Sequence, residues 1–151
     1  MTVYKASPEH ELLLSAGVYD VSARLLSENL RVDDGWIGRK DPGLIVKTVP
    51  SDALGGAAGL TAAQGLYRDL LARPGWNAMD AVKNGRVLLL SQELLDAPYL
   101  QTAARLLIAK AAYPSLFADT DAAEALRQLF REAAESLPTG VYYYQGWDEQ
   151  P

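Results

Sequence analysis

Few residues in this chain can do chemistry, and most of those are acidic. His10 is the sole histidine and cysteine is absent. An imidazole at a helix mouth can contact a haem or a metal, or it can be a solvated residue of the first turn. Ser51 and Asp52 stand in a stretch rich in Gly, Ser and Asp, where they can hydrogen-bond a polar ligand. Turn chemistry favours the same two residue types. Glu93 and Asp96 form an acidic pair able to meet a cationic group or a metal, although Asp96 also suits a helix N-cap. Tyr99, just beyond, can stack on a planar ligand. No catalytic residue is assigned. The chain has no Ser-His-Asp arrangement in a supporting motif and no HExxH, and no Lys-Ser/Thr follows Gly55-Gly56 to make a phosphate loop. A small α/β hydrolase using Asp52 or Glu93 is the remaining enzymatic alternative.

Composition narrows the classes further. A formal net charge of −5 without a basic run argues against nucleic acid. The lack of cysteine excludes disulfides, thiol catalysis and cysteine-based metal sites, and no intrinsic cofactor or metal is expected. No apolar run approaches the roughly 20 residues that span a bilayer. The first ten residues lack the basic and apolar regions of a secretory leader. At 151 residues the chain is expected to form one domain with a real core.

These side chains must be positioned by elements whose boundaries are written in turn residues. Arg73-Pro74-Gly75-Trp76 carries one turn signal and Asn84-Gly85 a second, the latter suited to two successive residues at positive φ. Val87 to Leu90 is apolar without alternation, as in a strand covered on both faces. Leu44 to Val49 is a second buried strand, followed by a loop from Pro50 to Gly59. Val3-Tyr4 reads as a strand remnant, and Val18 to Leu30 is ambiguous. Ser7-Pro8 opens a helix that Gly17 stops. Asp33 caps a short helix ended by Asp41-Pro42. Thr61 with Gln64 and Asp121 with Glu124 are expected capping boxes. Asp96 and Pro98 open the longest helix, with Leu100, Ala103, Ala104, Leu107, Ile108 and Ala111 inward. The final helix turns Leu126, Leu129, Phe130, Ala133 and Leu137 inward, and Val141 to Tyr144 packs back on the body. The whole predicts an α/β fold, a small parallel or mixed sheet with helices on both faces. Its strand ends place the Pro50–Gly59 and Ser91–Asp96 loops at one crevice.

"LLLSAGVYDVSARL", "DPGLIVKTV", "RPGWNAMDAVKNGRVLLL", "AKAAYPSLF" and "GVYYY", in that order, resemble the C-terminal lobe of ABC-importer substrate-binding proteins serving iron-siderophore, haem and cobalamin uptake. The resemblance implies one lobe of a two-lobe clamshell in a periplasmic or cell-surface lipid-anchored protein. An N-terminal lobe and signal peptide are expected outside these residues, so the chain reads as an excised domain. The implied ligand is a ferric siderophore, haem or cobalamin, met by Ser51, Asp52, Glu93, Tyr99 and His10. The implied protein partner is the transporter permease. The family's docking carboxylate matches Gly35 here, so Asp33 and Asp34 beside it are the substitutes in charge. Stand-alone pairing through the lobe face, as a homodimer or with a separate N-lobe, is the alternative.

Overall fold

The chain's structure, a computed structural model, describes residues 7–25, 32–56, 59–132 and 140–146. The expectations for Val3-Tyr4, for the second half of Val18–Leu30 and for Ala133 and Leu137 lie outside those residues. Strands β1 (Ile45–Val49) and β2 (Val87–Ser91) pair in parallel, and β3 (Tyr143–Gln145) adds antiparallel to β2, giving the order β1-β2-β3. The sheet is therefore mixed. Helices cover both faces.

Local chemistry accounts for how the chain enters β2. Helix α3 (Leu60–Leu71) runs into Arg73, and the Trp76 N–H donates to the Arg73 carbonyl at 3.1 Å. Gly75 sits at φ 81°, as a turn with Pro at its second position and Gly at its third requires. A single 3₁₀ turn, Trp76–Ala78, then leads to α4 (Asp80–Lys83). Here the structure departs from the expected tight turn: Gly85 alone is at positive φ (64°), while Asn84 is at −98°. The Arg86 and Gly85 N–H groups bond the Ala81 and Val82 carbonyls at 2.7 and 3.1 Å. That is the glycine-terminated end of a helix, and it hands the chain to β2.

Because β2 is central, its side chains divide the core by alternation. Leu88 and Leu90 face α1 (Pro8–Ser15), α6 (Gln101–Ala112) and α7 (Ala122–Glu132); Val87 and Leu89 face α3, Trp76 and Met79. The tail continues the division, since Tyr142 packs on Phe130 and Tyr144 on Tyr67. The six-residue inward stripe expected for the longest helix is buried throughout.

Two caps differ from expectation. Gly59, not a side chain, precedes α3, and Thr61 lies exposed inside it. Asp96 ends α5 (Glu93–Asp96), whereas α6 begins after Leu100 with no side-chain cap. Buried Leu94 and Leu100 anchor α5 and the start of α6 where a cap was expected. Asp121 does accept the Glu124 N–H at 3.0 Å, but the Glu124 carboxylate turns instead to Arg127 and Arg131.

Leu89→Ala removes a side chain 1% exposed between β2 and α3 and is expected to cost about 2–5 kcal/mol in urea unfolding. Gly85→Ala, forced to positive φ, is expected to cost about 1 kcal/mol. A neutral result for Leu89→Ala would remove β2 from the centre of the core.

Candidate ligand wall at the strand ends

The register Ile45↔Val87 through Val49↔Ser91 brings both parallel strands out at the same end. The Gln92 N–H closes this end on the Val49 carbonyl at 2.8 Å. From β1 the chain turns at once: the Ala53 and Leu54 N–H groups return to the Pro50 carbonyl, and Leu54 is fully buried. This leaves Ser51 and Asp52 exposed on the outside of the turn. From β2 the chain enters α5, with the Ser91 hydroxyl accepting the Glu93 N–H at 3.2 Å and Leu94 as anchor.

The two loops meet over Gly55. A Cβ at that position would lie 2.7 Å from Glu93 Oε1 and 2.8 Å from the Ser51 carbonyl, so glycine makes room for the carboxylate. The tail joins them, because a Cβ on Gly140 would strike the Gly55 carbonyl and lie 2.6 Å from Gly56 Cα. Gly140 is thus seated on the first loop's backbone. Tyr142, two residues on, donates its phenol to Glu93, and the Ser91 N–H donates to the Tyr142 carbonyl at 2.8 Å. Burial raises the Tyr142 phenol above its ordinary 10.0, and the charge of Glu93, the hydrogen bond to it and nearby Tyr99 add to the rise. Tyr99 itself is 40% exposed. Glu93, Tyr99 and the 50–56 turn therefore form one wall, with Ser51 and Asp52 on its outer rim.

Tyr142 and Gly140 belong to this wall and were not expected there. The repeated glycines at 55, 56 and 140 are the trace they leave in sequence, but nothing local says that they touch.

His10 is placed differently. It is 6% exposed rather than solvated, its N–H bonds the Ser7 hydroxyl at 3.2 Å, and ring Nδ1 lies 2.8 Å from Asp20 Oδ2. The other Asp20 oxygen takes the Ser22 N–H and hydroxyl at 2.8 and 2.6 Å. The imidazole thus ties the 18–22 turn to α1, and no contact joins it to Glu93. Asp96 accepts from the Gln92 amide at 2.9 Å on the exposed side of α5. Asp33 caps α2 (Asp34–Lys40) through the Trp36 N–H at 2.6 Å. Asp34 accepts the Trp76 indole N–H at 2.8 Å and faces Arg73 Nε at 3.1 Å. Trp76, 3% exposed, is a core wedge. Among the described residues no group of three or more His, Cys, Asp or Glu is arranged to hold a metal ion.

No known family model and no curated protein sequence matches the chain. Among solved structures it is similar to the TroA-like periplasmic binding protein FepB from Veillonella parvula, with a TM-score of 0.77 and 21% identity. The match covers 94% of this chain and 42% of that one, so the chain spans about two fifths of that protein's length. The chain shares the fold of the corresponding part of that TroA-like structure.

Two outcomes follow from the wall's chemistry. The folded state holds the Tyr142 phenol protonated, so its share of stability is intact below pH 10 and is lost as pH rises through the raised value. In a spectrophotometric phenol titration, Glu93→Gln is expected to move the Tyr142 component (the difference from Tyr142→Phe) back toward 10; no movement would separate the two groups. Asp20→Ala is expected to destabilise by about 1–3 kcal/mol through the orphaned His10 and Ser22 groups.

Proposed function

We propose that this chain is the solute-binding lobe of an ABC-importer substrate-binding protein, taking an iron complex (siderophore or haem) or cobalamin for import. The observation that carries this reading is the meeting of Glu93, Tyr99, Tyr142 and the 50–56 turn at the shared exit of two parallel strands. Ligands of open α/β sheets settle at such exits. The likeness to a TroA-like binding protein over 94% of the chain supports the same reading.

The wall selects a chemistry. Residues 50–56, 91–100 and 140–146 contain three carboxylates and no lysine or arginine. A ligand held here presents hydrogen-bond donors or positive charge, and Tyr99 offers a flat apolar contact. Ser51 and Asp52 extend the polar rim. His10, paired with Asp20, is not counted in this wall.

One wall leaves half of a ligand in water, so the second wall has to come from the other lobe, and closure of the two captures the cargo. Delivery then requires the permease. Asp33, exposed at the start of α2, is the carboxylate we assign to docking; Asp34, fastened to Trp76 and Arg73, holds that turn in place. This fits a protein that works in the periplasm or at the cell surface. No described helix is long and apolar enough to cross a membrane.

Titration of the 151-residue protein with ferric siderophores, haem and cobalamin is expected to give only weak binding, with Kd above about 100 µM. Cationic or neutral complexes are expected to outcompete anionic ones, and Glu93→Gln with Tyr99→Ala to abolish the residual signal. Submicromolar binding by the monomer, or binding indifferent to both substitutions, would overturn the half-wall reading.

A further inference from the structure

Of the wall's three carboxylates, only Glu93 lies inward. Asp52 is exposed on the outer rim, and Asp96 is held by the Gln92 amide on the exposed side of α5. Glu93 is half-buried, and among the described residues it makes no ion pair. A glutamate has three rotatable bonds and gives up much rotamer freedom when kept in one place. Something has to hold it there.

The group in position to do so is Tyr142. Its ring is buried against Phe130, with centroids 5.5 Å apart, and its carbonyl accepts the Ser91 N–H at 2.8 Å. Ring and backbone are thus both anchored in the body. The phenol extends over Gly56, where a Cβ would lie 3.0 Å from the hydroxyl. At the neighbouring Gly55 a Cβ would lie 2.7 Å from Glu93 Oε1 and 3.1 Å from the carboxyl carbon. Consecutive Cα atoms are about 3.8 Å apart, so phenol and carboxylate lie side by side across one Gly-Gly step. Burial and the charge of Glu93 keep the phenol protonated, and its one proton goes to that carboxylate.

A donor on a rigid anchor does two things to an acceptor on a flexible stem. It selects one rotamer, and it occupies one lone-pair direction while leaving the others available. The three wall segments contain no lysine or arginine, so none of their own residues neutralises Glu93. An acceptor fixed in advance binds a positively charged donor more tightly than a swinging one, because the ordering is done before the ligand arrives. It gains nothing on a ligand that brings negative charge.

We propose that Tyr142 is the positioning residue of the wall: its hydroxyl fixes the Glu93 carboxylate over Gly55 and thereby sets a preference for ligands bearing a cationic hydrogen-bond donor, such as a primary ammonium. The preference rests on the ligand-capturing role proposed above; the fixing of Glu93 does not.

Two measurements on the 151-residue protein separate these parts. The first needs no ligand. Side-chain carbon relaxation is expected to show an ordered Glu93 in the parent and, in Tyr142→Phe, a Glu93 as mobile as exposed Glu11. Phenylalanine keeps the ring on Phe130, and slow exchange of the Leu89 amide reports that the body remains folded. Glu93 equally ordered in both proteins overturns the positioning role.

The second is an NMR titration with a matched pair of gallium trihydroxamates, one ending in an ammonium and the other acetylated there. Gallium(III) carries the charge of ferric iron and leaves the resonances sharp. The parent is expected to favour the ammonium form about fivefold, the size of one exposed ion pair. Tyr142→Phe and Glu93→Gln are each expected to bring that ratio below about twofold, and the double variant to match Glu93→Gln alone, as for residues that act through one another. A ratio that Tyr142→Phe leaves at the parent value, or lowers further in the Glu93→Gln background, overturns the preference. If the parent binds neither complex, the importer reading falls and the preference with it, while the relaxation result still decides whether Tyr142 fixes Glu93.

Discussion

Water reaches none of the side chains of Val87, Leu88, Leu89, Leu90 and Ser91 to any useful degree, since each is at most 1% exposed. A backbone so enclosed must find every hydrogen bond inside the protein. β2 does so by taking β1 on one side and β3 on the other. Helices on both faces then follow, because a strand apolar on both faces has nowhere to show water. The rest of the architecture is the means of keeping that one strand dry.

That constraint also builds the wall. Parallel pairing with β1 forces both strands to leave at the same end, and antiparallel pairing with β3 forces the tail to arrive there. The phenol of Tyr142 consequently lands on Glu93, where burial and a carboxylate keep it protonated. Gly55, Gly56 and Gly140 leave room where the tail's backbone crosses the 51–56 turn and the Glu93 carboxylate and Tyr142 phenol come in beside it. A surface assembled from three distant segments in this way is rigid at its base. It is open at its rim, where Ser51, Asp52 and Tyr99 stand exposed. Those properties suit one half of a capture device, as proposed.

At the other end of the sheet the polar contacts are structural fasteners. Asp34 joins α2 to the Pro74-Gly75 turn through Trp76 and Arg73, with the guanidinium 5.1 Å over the indole ring. The Asp41 carboxylate receives the Asp80 N–H, linking the entry of β1 to α4. His10 and Asp20 do the same for α1 and the turn after it. Carboxylates that look available in sequence are in several places already taken.

What the sequence determined by itself was local. Pro74-Gly75, Ser7-Pro8, Gly17 and Asp33 set dihedrals and caps within a few residues of themselves, and the structure keeps all four. The apolar run at Val87–Leu90 and the stripe from Leu100 to Ala111 announced burial, because periodicity and hydrophobicity act on a single element. The expected caps at Thr61 and Asp96, and the double positive φ at Asn84-Gly85, gave way because packing of neighbouring side chains outweighed a preference worth about 1 kcal/mol. Only the tertiary structure decided which carboxylate meets which partner. Tyr142 on Glu93, Trp76 on Asp34 and the place of β1 beside β2 depend on strand register and layer order. Those are set by the summed burial of residues dozens of positions apart, and no short window of sequence contains that sum.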